Sequence, residues 1–151
     1  MYEFRRADSA DLAAIVGLLA DDGIGASREV VSDPVDGRYR AAFAAIEADP
    51  NQLLAVAVDG TGRVVGCLQL SFIPGLSRTG MWRGQIESVR VAREVRGGGL
   101  GAEFIRWAIA RCIDRGCGLV QLTSDKARAD AIRFYEKLGF VATHEGLKLS
   151  L

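Results

Sequence analysis

Between residues 85 and 111 the chain changes character twice. Gln85-Ile86-Glu87-Ser88-Val89-Arg90-Val91 has the two-residue period of a strand. Glu103-Phe104-Ile105-Arg106-Trp107-Ala108-Ile109-Ala110-Arg111 has the character of a helix. Between them lies Val95-Arg96-Gly97-Gly98-Gly99-Leu100-Gly101-Ala102. A strand that turns through glycines into a helix N-terminus commits the chain to an α/β architecture. It also makes a site for a phosphate, because glycines let the backbone approach closely and the helix dipole favours negative charge.

The bulk properties narrow the field. At 151 residues the chain is expected to be a single domain, 1–151, large enough to bury its own core. Lys+Arg and Asp+Glu are both 19, so the formal net charge is zero, which argues against a nucleic-acid or anionic-membrane binder. Apolar runs such as Leu53-Leu54-Ala55-Val56-Ala57-Val58 fall far short of the roughly 20 residues of a membrane helix. Met1-Tyr2-Glu3-Phe4-Arg5-Arg6 lacks the pattern of a signal peptide. Cys67, Cys112 and Cys117 are odd in number, lack metal-ligand spacing and sit among apolar neighbours. They are expected to be small buried hydrophobes in a reducing cytoplasm, with no metal.

The pattern along the chain predicts an edge strand over 2–6, then a helix capped by Asp8 or Ser9 with a stripe of Leu12, Ile15, Val16, Leu18 and Leu19. A loop at 21–36 and a helix over 39–48 follow. Strands at 52–58 and 63–72 flank the hairpin turn Asp59-Gly60-Thr61-Gly62. A third long strand covers 81–91. The glycine turn and its helix run to about 115, a buried strand is expected at 119–123, and a helix at 128–138 ends at Gly139. Residues 140–143 and 146–151 are expected to close a final hairpin. The strand–helix–strand crossover in the middle makes the sheet mixed.

Three classes of phosphate ligand compete for the glycine turn. A nucleotide-triphosphate loop ends in Gly-Lys-Ser/Thr, whereas Gly101 is followed by Ala102-Glu103. The dinucleotide fingerprint Gly97-x-Gly99-x-x-Ala102 is present, with Asp125 at a plausible ribose distance. That fold wraps a doubly wound sheet around the turn, however, and here hairpins precede it and only about fifty residues follow. The third class is an acyl-CoA. Arg96-x-x-Gly99-x-Gly101 resembles the pyrophosphate-binding signature of the GNAT superfamily of N-acetyltransferases. Ala131-Ile132-Arg133-Phe134-Tyr135-Glu136-Lys137-Leu138-Gly139-Phe140 resembles its second signature, and Ile86-Glu87-Ser88-Val89-Arg90-Val91 resembles its cofactor-contacting strand. The likeness is strong from about 63 to 140 and looser through the N-terminal helices.

The resemblance implies a central, mostly antiparallel mixed sheet flanked by about four helices. Two parallel strands in it splay into a V-shaped slot for the pantetheine arm of acetyl-CoA. Val89 and Val91 would pair with that arm. Arg96, Gly97, Gly98, Gly99, Leu100, Gly101 and Ala102 would hold the pyrophosphate. A backbone N–H near Val89 would polarise the thioester carbonyl. Tyr135 would protonate the departing thiolate, and Glu87 would take a proton from the amine acceptor, since an alkylammonium of pKa ~10.4 must be neutral to attack. Many members carry an Asn near the end of the second parallel strand. No Asn follows Asn51 here; Asp125 in that neighbourhood would accept a hydrogen bond from the cofactor instead, and Arg128 or Lys126 would pair with a phosphate, with a solvated charged helix start as the alternative.

The implied activity is transfer of an acetyl group to a small-molecule or peptide amine in a ternary complex, with a homodimer expected by analogy. A non-catalytic acyl-CoA-sensing module is the alternative. His144 lies in the expected last hairpin, where a proton relay competes with a plain surface role. Asp21, Asp22, Asp33 and Asp36 form an acidic loop suited to attracting a cationic amine. Trp82 and Trp107 are expected to pack.

Overall fold

The computed structural model describes residues 1–151. It divides into two compact units, Met1–Gln121 and Leu122–Leu151, described in turn.

The first unit runs β1 (Glu3–Arg6), α1 (Leu12–Ala20), α2 (Gly37–Ala48), β2 (Gln52–Val58), β3 (Val64–Ile73), β4 (Arg83–Val91), α3 (Leu100–Asp114) and β5 (Leu119–Gln121). Short helical turns at Ser9–Asp11, Gly25–Ser27, Ser77–Gly80 and Arg93–Val95 link these elements. The strands form one mixed sheet in the order β1-β2-β3-β4-β5. Neighbours are antiparallel from β1 to β4, and β5 lies parallel to β4.

Local chemistry explains the predicted boundaries. The Asp8 carboxylate accepts from the Ala10 amide at 2.9 Å, and Asp11 reaches back to the Asp8 amide at 2.8 Å, a capping box that starts the first helical segment. Asp36 accepts from the Arg38 amide at 2.9 Å and opens α2. In the β2–β3 hairpin the Asp59 carboxylate accepts from the amides of Thr61 and Arg63, and Gly62 takes the left-handed backbone (φ 88°) that closes the turn.

The sheet is covered on both faces, which is why β2 reads as a continuous apolar run rather than an alternating one. Leu54, Val56 and Val58 join a core with Leu12, Ile15, Val16 and Phe43. On the other face Phe104, Ile105, Ala108 and Cys112 of α3 are fully buried. Phe104 stacks on Phe4 with ring centroids 5.0 Å apart, and Trp107 packs on both rings as expected. The helix fits closely because Gly84 faces it: a Cβ there would stand 2.3 Å from Cys112 Sγ.

Two features of β4 shape the site. Its pairing with β5 ends at Gln85 opposite Gln121, so residues 86–91 have no strand on that side. Across from β3 the register shifts: Cys67 faces Arg90, while Gln69 faces Glu87. Leu68 thus opposes two residues, Ser88 and Val89, in a β-bulge where Ser88 adopts φ 56°.

The second unit contains one helix, α4 (Ala129–Lys137). The helix stops at Gly139, φ 98°, where the amides of Leu138 and Phe140 both donate to the Tyr135 carbonyl.

The sequence reading needs three corrections. The expected final hairpin does not form: residues 140–151 contain no strand, and Val141, Leu147 and Leu149 are 75%, 93% and 87% exposed. An alternating pattern supplies strand propensity, but a strand also needs a partner, and none in this chain pairs with the segment. The strand expected at 119–123 stops at Gln121 and is half-buried rather than buried. Trp82 stands just ahead of β4 and is 37% exposed rather than packed away.

Candidate functional site

The glycine turn forms as expected, but its helix begins earlier, at Leu100. Gly99 is the N-cap with φ 89°, and Gly97 has φ 84°. A Cβ at either would meet nothing within 4 Å, so the need for glycine here is conformational rather than spatial. No side chain caps this helix. The first amide to find a backbone acceptor is that of Glu103, which donates to the Gly99 carbonyl at 3.1 Å. The six consecutive amides of Gly97, Gly98, Gly99, Leu100, Gly101 and Ala102 have no acceptor in the protein. Unfilled donors at a helix N-terminus are a fit for a pyrophosphate. Arg96 is exposed beside them, its Nε donating to the Val91 carbonyl at 3.0 Å.

Strand β4 leads into this turn through Ala92 and Arg93–Val95. Glu87, Val89 and Val91 lie on its unpaired stretch. The bulge interrupts the regular ladder at Ser88 and Val89. Glu87 is exposed and makes no ion pair, so neither Arg83 nor Arg90 claims it.

Arg90 has a different partner. Its Nε lies 2.8 Å from Asp22 Oδ2, and both side chains are nearly buried, 13% and 12% exposed. The contact is an ion pair rather than an aligned hydrogen bond, since Nε has no acceptor along its N–H. Arg90 Nη1 donates to the Val89 carbonyl at 2.9 Å, so the pair buttresses the bulge. Sequence reasoning missed it because the two residues are 68 positions apart, with nothing local to join them. Two of the other three loop acids are also engaged, Asp33 being exposed. Asp21 pairs with Arg93 at 2.9 Å and Asp36 with Arg38 at 2.9 Å, so the loop is not the free acidic patch its sequence suggested.

Asp125 and Tyr135 lie in the second unit. The Asp125 carboxylate accepts from the Ala127 amide at 2.9 Å, and its carbonyl accepts from the Arg128 amide. Its observed role is therefore to form the turn before α4. Beside it, Ser124 Oγ is buried without a hydrogen-bond partner. Such a hydroxyl calls for a ligand or water, and its sequence neighbourhood offered no sign of it. Tyr135 is half-buried on α4, its ring edge-on to Phe134 and Phe140. His144 is exposed, its Nδ1 2.6 Å from Thr143 Oγ1, and Lys126 pairs with Glu145 at 3.4 Å.

The cysteines offer no nucleophile. Burial pushes the Cys67 thiol up to about 12 and the Cys112 thiol up to about 11, so both stay protonated. A surface cavity of about 330 Å³ lies among α1, the start of β3 and Ala92; it includes Asp21 of the acidic loop but none of the residues expected to hold acetyl-CoA or to catalyse.

Comparison with known proteins agrees with this geometry. The chain is 29% identical over 143 residues to aminoalkylphosphonate N-acetyltransferase of Salmonella typhimurium, covering 94% of this chain and 86% of that one. It is 31% identical to streptothricin acetyltransferase of Streptomyces lavendulae, covering 92% and 81%. Its structure superposes on the crystal structure of a transcriptional regulator from Bacillus halodurans C-125 with a TM-score of 0.97, at 46% identity and with 100% of both chains covered. Residues 24–140 match the acetyltransferase (GNAT) family. With the glycine turn, the parallel pairing of β4 with β5 and the bulge in place, this chain belongs to the acetyltransferase (GNAT) family, and through it to the N-acetyltransferases.

Proposed function

We propose that the chain transfers an acetyl group from acetyl-CoA to a primary amine by direct attack, in a ternary complex and without a metal. The observation that carries this reading is the run of six amides, Gly97 to Ala102, with no acceptor in the protein at the N-terminus of α3. When bound, acetyl-CoA supplies an activated thioester. Gly97, Gly98, Gly99, Leu100, Gly101 and Ala102 hold the pyrophosphate, assisted by Arg96. The unpaired edge of β4 at Val89 and Val91 aligns the pantetheine arm, as an added strand would be aligned. The bulge aims the Val89 amide at the acyl oxygen, where developing negative charge strengthens the hydrogen bond.

Glu87 takes a proton from the amine, directly or through water, and its freedom from any ion pair leaves the carboxylate available. Tyr135 gives a proton to the departing sulfur, since a phenol of ordinary pKa ~10 is protonated at neutral pH. Asp125 holds the turn beside Ser124, whose hydroxyl offers the arm a partner. The acceptor is an amine, and an aminoalkylphosphonate and streptothricin head the panel to screen because relatives act on them.

Calorimetry with acetyl-CoA tests the donor, and no heat at millimolar cofactor would end this reading. Release of free thiol with an amine panel tests catalysis. Tyr135→Phe is expected to lower turnover by about 10²–10⁴-fold while leaving acetyl-CoA affinity within a few-fold. Unchanged turnover would remove Tyr135 from the mechanism. The B. halodurans relative favours a second reading, a regulator that senses acyl-CoA. A sensor would bind acetyl-CoA yet release thiol no faster than buffer with every amine tested.

A further inference from the structure

The chain contains four glutamines, Gln52, Gln69, Gln85 and Gln121, and the sheet gathers all four on one face. Directly opposed residues on neighbouring strands share a face. Gln52 of β2 opposes Ser71 of β3, Ser71 opposes Gln85 of β4, and Gln85 opposes Gln121 of β5. Two residues along, Gln69 opposes Glu87. Leu54 and Cys67 lie on this face too, packed with α1 and α2. The face is thus apolar under those helices and turns to uncharged carboxamides along the row from Gln52 to Gln121. All four glutamines are half-buried, where a strand residue that meets only protein is usually apolar.

Each carboxamide spends one end on a neighbour. Ser71 Oγ and Gln69 Nε2 donate to Gln52 Oε1 at 3.1 and 2.9 Å, and Gln121 Nε2 donates to Gln85 Oε1 at 3.0 Å. The other ends, Nε2 of Gln52 and Gln85 and Oε1 of Gln69 and Gln121, make no hydrogen bond within the protein. Two donors and two acceptors are therefore held in place and left open, which is preorganisation for a ligand. A hydroxyl both donates and accepts, so it fits either kind of end, whereas a phosphate or carboxylate only accepts. The two arginines that β4 carries on this face are engaged elsewhere. Arg90 is held by Asp22, and Arg83 Nη1 reaches past the end of the row, where it would stand 3.3 Å from a Cβ at Gly75.

We propose that this row is the floor of the acceptor site and that it selects an amine whose body carries several hydroxyl groups, an amino sugar in chemical class. The proposal rests on Glu87 as the group that takes the amine's proton. Gln69 stands directly across from Glu87, and Gln85 lies two residues away, about 7 Å along β4. An open acceptor and an open donor thus flank the amine within the breadth of one sugar ring. Gln52 and Gln121 fix the orientation of this inner pair and offer their own open ends to further substituents. A plain alkylamine leaves all of these groups unpaired, which is how a site built for hydroxyls rejects an analogue without them.

Side-chain signals in nitrogen-15 magnetic resonance spectra test binding apart from turnover. The chain has five carboxamides, the four glutamines and Asn51, whose Oδ1 accepts from Arg115 at 2.7 Å. Glucosamine, the probe, is expected to shift the glutamine signals, Gln69 and Gln85 most, and to leave Asn51 in place. Cyclohexylamine, a ring amine without hydroxyls, is expected to shift them far less. Turnover supplies a second measure. Gln69→Leu and Gln85→Leu are each expected to lower kcat/KM for glucosamine, relative to that for cyclohexylamine, by about 3–10-fold, the worth of one hydrogen bond. The amines' own reactivities cancel in that ratio, and damage to the fold lowers both rates alike. Glutamine signals that stay still with glucosamine, or move as far with cyclohexylamine, overturn the proposal. So does a ratio that neither substitution changes, or an enzyme that acetylates cyclohexylamine and not glucosamine. Absence of acetyl-CoA binding ends the donor reading instead, and the glutamine signals still decide whether the row takes the sugar.

Discussion

Strand β2 and the tail at 146–151 are of similar length, and both are rich in leucine or valine. In β2, Leu53 to Val58 are 0–9% exposed, with helices against both faces of the sheet and a strand on either side. In the tail, the leucines that would make an equivalent stripe stand in the open. The contrast teaches that an apolar pattern states a requirement for burial, while topology decides what meets it. For β2 the hairpin at Asp59–Gly62 brings its partner within a few residues. The tail follows the last helix, and no strand of the sheet pairs with it.

The contrast can be broken or sharpened by substitution. Phe104→Ala carries the largest expected loss of stability, about 3–5 kcal/mol in urea unfolding, because the ring is 0% exposed and stacked on Phe4. A loss below 1 kcal/mol would mean that the α3 face is not the core it looks to be.

Asp11→Asn comes next, at about 1.5–3 kcal/mol, because it removes a paired contact with Arg5 (2.7 and 3.0 Å) from a carboxylate that is 7% exposed. Its pH signature is specific. The hydrogen bond from Arg5, helped by the Asp8 amide and opposed by burial, holds the Asp11 carboxyl below its ordinary value. The carboxylate's contribution is therefore complete above the unfolded value of ~3.9 and is lost as pH falls through the lower folded one. In Asp11→Asn that part of the acid transition should disappear, and an unaltered acid limb would refute the assignment.

Gly84→Ala is expected to cost about 1–3 kcal/mol, since its Cβ would collide with Cys112 Sγ. Cys112→Ala should restore part of the loss in the double variant, and strict additivity would show that the two sites do not touch. The smallest effect belongs to the second unit. Lys126→Ala should change stability by no more than about 0.5 kcal/mol, because both it and Glu145 are well exposed. A larger loss would show that the second unit holds more of the fold than its exposure suggests.

Much of the site was legible before the structure. Gly97 and Gly99 stood out because positive φ beside a helix start is a local requirement, and local requirements leave a mark on residue type. The hairpin turn, the cap of the first helix and the stop at Gly139 were legible for the same reason. The Arg90–Asp22 pair, the bulge at Ser88–Val89 and the orphaned Ser124 hydroxyl were not, because each depends on which distant segment lies alongside. The acidic loop misled for that reason too: Asp21 and Asp22 read as free charges until β4 and the turn after it brought arginines to them.

By itself, then, the sequence determined where the chain turns, where its helices begin and end, and that a glycine turn leads into a helix N-terminus. Those outcomes rest on interactions spanning a few residues, which propensity and spacing encode directly. The tertiary structure alone decided which acids keep a free carboxylate, how far β4 runs unaccompanied, and that the final apolar strand goes unpaired. Those outcomes depend on long-range pairing, where one residue's role is set by another whose position in the chain carries no trace of it.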